Sequence, residues 1–491
     1  MPVGMQLMAI RHCNRRQSIL TAQLFAFPPH KQLPFTTKIK TSFTCFNRIV
    51  LGTATRSGEP IIMRPDSVWM MQFPLMLLIT ALAGVGVAAA DQRPAADPLS
   101  AVQAAPASAA AHLGMTPPAS STPALATPGS LAIDPQPLAA LDADIAAGRL
   151  PLVDSLLVMR CGEVVFDRRY PHDYAATYDK QAHTKGPLNA RLTGRYNYFD
   201  PAWHPYYHGT DEHTMQSVSK TVTSAIIGIA ITRGDFKAPL STPVLHYFDE
   251  KKVKNVDVRK RRMTLRDILT MTTGLDWNED VPYDDPNNPS DLMEASDDWV
   301  QFVIDRPMKD DPGTVFAYSS GATELLAYIF KRETGVDIEQ YGRRHLFEPL
   351  GIRNYHWKRT PLGVVDTEGG LYLRAEDLAK IGLLYLNGGR WNGQRLMSAD
   401  WIKESLTPRI DAGEGFQYGY QWWLLPHGNP ARLAWAARGM GGQRLLVFPE
   451  DQLIVVSTAW HILNEASIEF DVVRRLLPGV HPHQCAAPPG T

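Results

Sequence analysis

"SVSKTVTSAIIGIAITRG", residues 217–234, sets a hydroxyl and a lysine three positions apart at the head of a run that stays apolar for several turns. That spacing on a helix puts Ser217 and Lys220 on one face, side chain beside side chain. The following residues are apolar nearly all round, so the helix is expected to run through the core and to stop at Gly234. A serine hydroxyl is a weak nucleophile until a neighbouring base removes its proton. A lysine can be that base when burial or nearby positive charge lowers its pKa. The plainer reading is that serine caps helices well, and Ser-x-x-Lys arises by chance about once or twice in a chain of this size. Chemistry at this motif therefore needs partners elsewhere.

Two segments supply them. In "FAYSSGATELL", Tyr318 stands just before another helical run. A tyrosine in a turn is commonly only packed there, but a phenol set against Ser217 and Lys220 carries a proton between nucleophile and leaving group. In "AARGMGGQRLLVFPEDQLIVV", small residues from Gly439 to Gly442 open onto a strand. Glycine weakens a strand unless something must approach the backbone, and an acyl substrate laid along an edge is such a thing. A backbone N–H there, joined by that of Ser217 at its helix N-terminus, would form an oxyanion hole.

Around these segments the chain reads as an ordinary globular sequence. It has 491 residues, 44% hydrophobic and 20% charged, with a formal net charge of -1. Such a balance gives ample core and offers no electrostatic footprint for nucleic acid. Residues 63–90, "MRPDSVWMMQFPLMLLITALAGVGVAAA", have a basic start, an apolar segment from Phe73 and small residues at the end, the order of a secretory signal peptide. The rival is a membrane anchor, if the 73–90 segment stays uncleaved. Residues 1–62 lack sustained periodicity and read as a doubtful upstream extension. Residues 91–133 are rich in Ala, Pro and Ser and read as a linker. The expected hydrolase domain covers 134–478, and 479–491 form a tail. With export, Cys161 and Cys485 are free to pair, although sequence does not say whether they do. With no CxxC or Cys/His cluster, no metal site and no cofactor are expected.

Within the domain, residues 152–170 hold two β-branched runs around Cys161-Gly162, a hairpin signal. Helical patterns follow: "TVTSAIIGIAITRG", "MTLRDILTMTTGL" to Gly274, "SSGATELLAYIFKRETG" and "RAEDLAKIGLLYLNGG". The strand-like runs "RLLVFP" and "QLIVVSTAW" close the domain. Strands at both ends of a helical middle imply an α+β fold in three layers, an antiparallel sheet flanked by helices with an inserted mostly helical lobe.

In this order and at these distances, "SVSKTVTSAIIGIAI", "MTLRDILTMTTGLDW", "PGTVFAYSSGATELLAYI", "LFEPLGI", "GGLYLRAEDLAKIG" and "GMGGQRLLVFPEDQLIVV" resemble the serine β-lactamase and penicillin-binding protein superfamily. The branch is that of class C β-lactamases and β-lactamase-fold esterases, and the chain looks closest to 6-aminohexanoate-dimer hydrolase-like proteins. The resemblance covers about residues 150 to 475. It implies Ser217 as acylated nucleophile, Lys220 as its base partner and Tyr318 as proton carrier, with oxyanion donors from the backbone N–H of Ser217 and Met440.

Two departures bear on substrate. β-Lactam-active relatives usually carry asparagine where this chain has Ser320, so a two-ended amide that grips the substrate amide is missing. The strand triad reads Ala437-Arg438-Gly439, and Ala437 can neither donate a proton nor bind a carboxylate. Arg438 is expected on the opposite sheet face. Trp277 and Tyr283, in the acidic loop "GLDWNEDVPYDDPNNPSD", are candidate substrate contacts, with Ser320, Gly439 and Trp460. His213 reads as a satisfied residue, and without a G-x-S-x-G elbow a Ser-His-Asp enzyme is disfavoured. The expectation is an exported, periplasmic or secreted serine hydrolase that cleaves small-molecule esters or amides. Alternatives are a β-lactamase or D-stereospecific peptidase of cell-wall material, and a non-hydrolytic binding or sensor domain. Oligomeric state is not legible.

Overall fold

The computed structural model describes residues 6–14, 17–25, 35–39, 125–150, 152–189, 194–282, 285–428, 431–463 and 467–485. The chain divides into two units, Met1–Met115 and Thr116–Thr491. In the first, Gln6–Asn14, Gln17–Phe25 and Phe35–Ile39 pair as an antiparallel meander. The sequence reading placed no strands there. The signal-like segment 63–90 lies outside the described residues.

The second unit is built on eight antiparallel strands. Their spatial order is Ile410–Gly413, Phe416–Tyr418, Trp423–His427, Arg432–Gly439, Gln443–Phe448, Leu453–Ala459, Val153–Arg160 and Glu163–Arg169. The C-terminal run thus lies beside the N-terminal hairpin, Val455 opposite Val158. The hairpin turns at Cys161 and Gly162, both with positive φ (54° and 80°). That is the backbone twist a two-residue loop needs, and glycine supplies half of it without strain.

Side-chain alternation along the central strands divides the core in two. Leu445, Val447, Ile454, Val456, Leu157 and Met159 face one way, onto helices Val218–Arg233 and Ala375–Leu386 and the helical lobe. Leu446, Phe448, Leu453, Val455, Leu156 and Val158 face the other, onto helix Pro135–Ala146 and the C-terminal turns through Leu138, Leu141, Ile468 and Leu476. Both faces of the sheet are covered, the expected three-layer α+β arrangement. The lobe contributes helices Pro289–Glu294, Trp299–Ile304 and Ser320–Thr334.

Three boundaries differ from expectation. "MTLRDILTMTTGL" is helical only over Leu265–Leu269: a Thr264/Asp267 capping box begins the helix, and Met271, two residues past its end, turns left-handed (φ 56°). Residues 125–133, read as linker, pack on the domain, with Leu131 and Ile133 buried and the Ala126 N–H bonded to the Val164 carbonyl. Residues 479–485, read as tail, are fastened down: Val480 bridges to Ile133, and Cys485 forms a disulfide with Cys161, 324 positions earlier. Among the described residues no helix is long and apolar enough to cross a membrane.

Candidate active site

Ser217 sits at the N-terminus of helix Val218–Arg233, yet its side chain makes no capping hydrogen bond. It instead accepts one from Lys220 Nζ at 2.8 Å. Lys220 is buried, and its other two N–H donors reach Ser320 Oγ at 3.0 Å and the Glu368 carbonyl at 2.7 Å. An ammonium has three donors, and here each has a named acceptor. The half-buried Tyr318 enters from the lobe, its hydroxyl within hydrogen-bonding reach of both Ser217 and Lys220. Its ring stacks on Trp423, centroids 5.7 Å apart. The three groups that the sequence placed together are therefore together.

The electrostatics depart from expectation at one point. Burial presses the Lys220 ammonium toward neutrality, but its interactions with Tyr318 and with the Glu368 and Glu279 carboxylates outweigh it, and the pKa stands above that of an ordinary lysine. Burial also pushes the Tyr318 phenol up, against the pull of Lys220. At neutral pH the resting trio is an ammonium, a hydroxyl and a phenol, with no free base among them. Burial around Lys220 is legible in the sequence; the carboxylates are not, because they come from other segments.

Glu279 is one of these. It is 8% exposed, takes the Trp277 indole N–H on Oε2 at 2.5 Å and the Ser320 hydroxyl on Oε1 at 2.7 Å, and also accepts the Ser320 backbone N–H. Glu368 adds a carboxylate oxygen 3.5 Å from Lys220 Nζ. Glu279 stands in the acidic loop "GLDWNED", and nothing local says that this loop folds inward.

Gly439 explains itself differently from the sequence argument. A Cβ there would lie 2.5 Å from the Met215 carbonyl oxygen and 3.2 Å from Gln216 Cβ. The approaching body is the chain leading into Ser217. This contact sets Met440, one residue past the strand, beside Ser217 on the wall of the same cleft. Arg444 Nη1 donates to the Gly439 carbonyl at 2.9 Å, and Gln443 Nε2 donates to the Met440 carbonyl at 2.7 Å. In a trans peptide the N–H points opposite to the C=O, so clamping the Gly439 carbonyl directs the Met440 N–H away from Arg444. Among the described residues, neither the Met440 N–H nor that of Ser217 is spent on a backbone acceptor.

The remaining candidates divide. Ser320 is fully buried and lines the cleft, serving as acceptor for Lys220 and donor to Glu279. Trp277 is 3% exposed, with its ring against Gly321 and its N–H on Glu279, so it supports the site from behind and presents no face to substrate. Trp460 is 1% exposed and stacks flat on His204, centroids 5.2 Å apart, in a separate aromatic core. Neither tryptophan is a substrate contact, because both indoles are spent on packing that a loop-and-strand-end position in sequence does not reveal. Tyr283 lies outside the described residues. Arg438 pairs with Glu469 at 3.1 Å, on the face opposite Ala437, as alternation requires. His213 is buried and bonded to Asp154 at 3.0 Å and to the Thr214 carbonyl at 2.8 Å.

A narrow cleft of about 290 Å³, its open mouth included, runs past Ser217 and is lined by Ser320, Met440, Asp291, Glu294 and Glu368 among others. No group of His, Cys, Asp and Glu among the described residues is placed to hold a metal ion. A nucleophile on a helix N-terminus, a lysine and a phenol at its oxygen, and two unspent amides facing one cleft are the parts of acyl transfer. Residues 152–459, more than half of the chain, match the family model described as Beta-lactamase.

The chain belongs to the beta-lactamase family.

As a member it is a serine hydrolase. A similar relative is the 6-aminohexanoate-dimer hydrolase of Paenarthrobacter ureafaciens, 27% identical over 300 residues, which are 54% of this chain and 72% of that one. Two solved structures share the beta-lactamase-family fold. EstCE1, described as a hydrolase with promiscuous acyltransferase activity, has a TM-score of 0.52 at 15% identity and covers 72% of this chain and 98% of its own. A D-stereospecific amidohydrolase from Streptomyces sp. has a TM-score of 0.50 at 13% identity, with coverage of 70% and 99%.

Proposed function

We propose that this beta-lactamase-family member is an exported hydrolase that opens small esters or amides through an acyl-enzyme on Ser217. The observation that carries the reading is the buried Lys220 Nζ at 2.8 Å from Ser217 Oγ, with the Tyr318 hydroxyl in reach of both. Once Lys220 has surrendered its proton, the amine takes that of Ser217 as Oγ attacks the carbonyl carbon. The carbonyl oxygen becomes anionic between the N–H groups of Ser217 and Met440. Collapse breaks the bond to the leaving group, which takes a proton from Tyr318, and Tyr318 is refilled from Lys220. Water then repeats the sequence on the acyl ester.

The cleft wall also bears on substrate. Asp291, Glu294 and Glu368 line it, and among the described residues no cation does. Among the described residues, a carboxylate-bearing β-lactam or stem peptide would find no cation on this wall to pair with, and Ala437 stands where an anion-binding side chain would be needed. Neutral or amine-bearing acyl compounds suit it better. Export rests on the order of residues 63–90 and is supported by the Cys161–Cys485 disulfide, a bond at home in oxidising compartments.

The test pairs a β-lactam with short-chain nitrophenyl esters that are neutral or carry a terminal carboxylate, followed by intact-mass analysis after a fluorophosphonate. Fast turnover of the neutral ester and a single adduct on Ser217, absent in Ser217→Ala, are expected. Turnover of the β-lactam alone, or full activity in Ser217→Ala, overturns the reading.

A further inference from the structure

The resting site poses a problem that its own hydrogen bonds answer. Lys220 is held as an ammonium with every donor engaged, and an ammonium is no base. The second of its acceptors, Ser320 Oγ at 3.0 Å, is a hydroxyl that itself donates to Glu279 Oε1 at 2.7 Å. Nζ, Oγ and Oε1 form an unbroken line of proton-bearing atoms, buried throughout, with Ser320 1% and Glu279 8% exposed. Trp277 Nε1 and the Ser320 backbone N–H fix the other carboxylate oxygen, so Oε1 stays aimed at the hydroxyl.

We propose that Ser320 and Glu279 form a proton relay that unloads Lys220 before Ser217 attacks. One N–H proton of Lys220 passes to Ser320 Oγ while the hydroxyl proton of Ser320 passes to Glu279 Oε1. The products are a neutral amine, an intact serine hydroxyl now donating to that amine, and a carboxylic acid. No charge leaves the pocket and no atom is gained or lost. A carboxamide in place of Ser320 cannot accept and release a proton in this way, so the departure from asparagine at that position acquires a purpose. Glu279 touches no substrate and acts as a positioning and proton-holding residue. The proposal rests on Ser217 being the nucleophile.

The pH dependence follows from the groups around the pair. Glu279 faces Lys220, Tyr318 and Glu368, and Lys220 faces Tyr318, Glu368 and Glu279. Burial holds the Glu279 carboxyl above its usual range, against the pull of Lys220 and Ser320. When both Lys220 and Glu279 are protonated the relay is blocked, so wild-type activity rises as pH climbs through the carboxyl's pKa and then stays level, because the pair keeps one proton. In Glu279→Gln only the ammonium remains to be discharged. Loss of the Glu279 charge lowers the ammonium's pKa, but the Glu368 carboxylate, 3.5 Å from Nζ, still holds it up, so the ascending limb moves to alkaline pH.

The experiment is kcat/KM against pH for a neutral nitrophenyl ester with wild type, Glu279→Gln, Ser320→Ala, the double variant and Glu368→Gln, each checked for folding by circular dichroism and for fluorophosphonate labelling at Ser217. General acid–base assistance is typically worth about 10²- to 10⁴-fold, so either single variant should lose at least about 10²-fold at neutral pH and recover toward high pH. The double variant should be no worse than either single. An unshifted limb in Glu279→Gln or Ser320→Ala, losses that multiply in the double variant, or a limb moved only by Glu368→Gln overturns the relay. If Glu279→Gln does not fold, the limb in Ser320→Ala decides. Failure of Ser217 to label in the wild type would instead remove the nucleophile assignment beneath it.

Discussion

Replacing Gly439 with alanine puts a methyl group 2.5 Å from the Met215 carbonyl oxygen. Ordinary contact begins near 3.4 Å, so the strand and the segment entering Ser217 must separate by about 0.9 Å. Met440 follows the strand directly and Ser217 lies two residues past Met215, so the separation widens the gap between the two amides that receive the oxyanion. Misplacement by about 1 Å can cost about 10²-fold, and loss of one oxyanion donor about 10²- to 10³-fold in kcat. Gly439→Ala is therefore expected to lower kcat by about 10²-fold. KM should change little, because the donors grip the tetrahedral state more than the ground-state carbonyl. Overpacking should cost about 1–3 kcal/mol of stability. Steady-state kinetics with a nitrophenyl ester, beside thermal unfolding followed by circular dichroism, measures both. A folded Gly439→Ala protein with kcat within threefold of wild type would refute the argument that this glycine sets the oxyanion gap.

Further outcomes follow from the same geometry. Tyr318→Phe keeps the stack on Trp423 but loses the hydroxyl, and kcat should fall by about 10²- to 10⁴-fold in stopped-flow ester hydrolysis; turnover at the wild-type rate would remove the phenol from the proton path. Trp277→Phe leaves a buried Glu279 oxygen short of one donor and should cost about 1–3 kcal/mol in denaturant unfolding with KM unaltered. A tenfold rise in KM at unchanged stability would instead make Trp277 a substrate contact. Cys485→Ser opens a bond that closes a 324-residue separation, and a loss of about 2–4 kcal/mol is expected. Non-reducing peptide mapping that finds Cys161 as a free thiol would count against the bond.

Sequence singled out Ser217, Lys220 and Tyr318 through local marks, a hydroxyl–lysine spacing at an apolar helix and a tyrosine before a helix; glycines at a strand mouth marked the segment around Met440, and the family resemblance named that residue. The β-branched runs at both ends of the domain likewise announced the sheet. Glu279, Glu368 and Gln443 carry no such mark. Each acts through a neighbour distant in sequence: Glu279 through Ser320 and Lys220, Glu368 through a carbonyl presented to Nζ, Gln443 through the Met440 and Ala459 peptides. Trp277 and Trp460 failed as substrate contacts for the same reason, because whether an indole faces a cleft or a core depends on what packs against it.

The charge state of the site shows the division most sharply. An apolar helix around Lys220 predicts a lysine drifting toward neutrality, and that inference is sound for the helix taken by itself. Folding brings the Glu279 and Glu368 carboxylates and the Tyr318 hydroxyl to the amine, and in a buried pocket the carboxylate charges act over short distances with little screening. The sequence determined which groups could perform acyl transfer. Only the tertiary structure decided that the lysine rests protonated, because Coulomb energy depends on separation in space and the chain order records none of it.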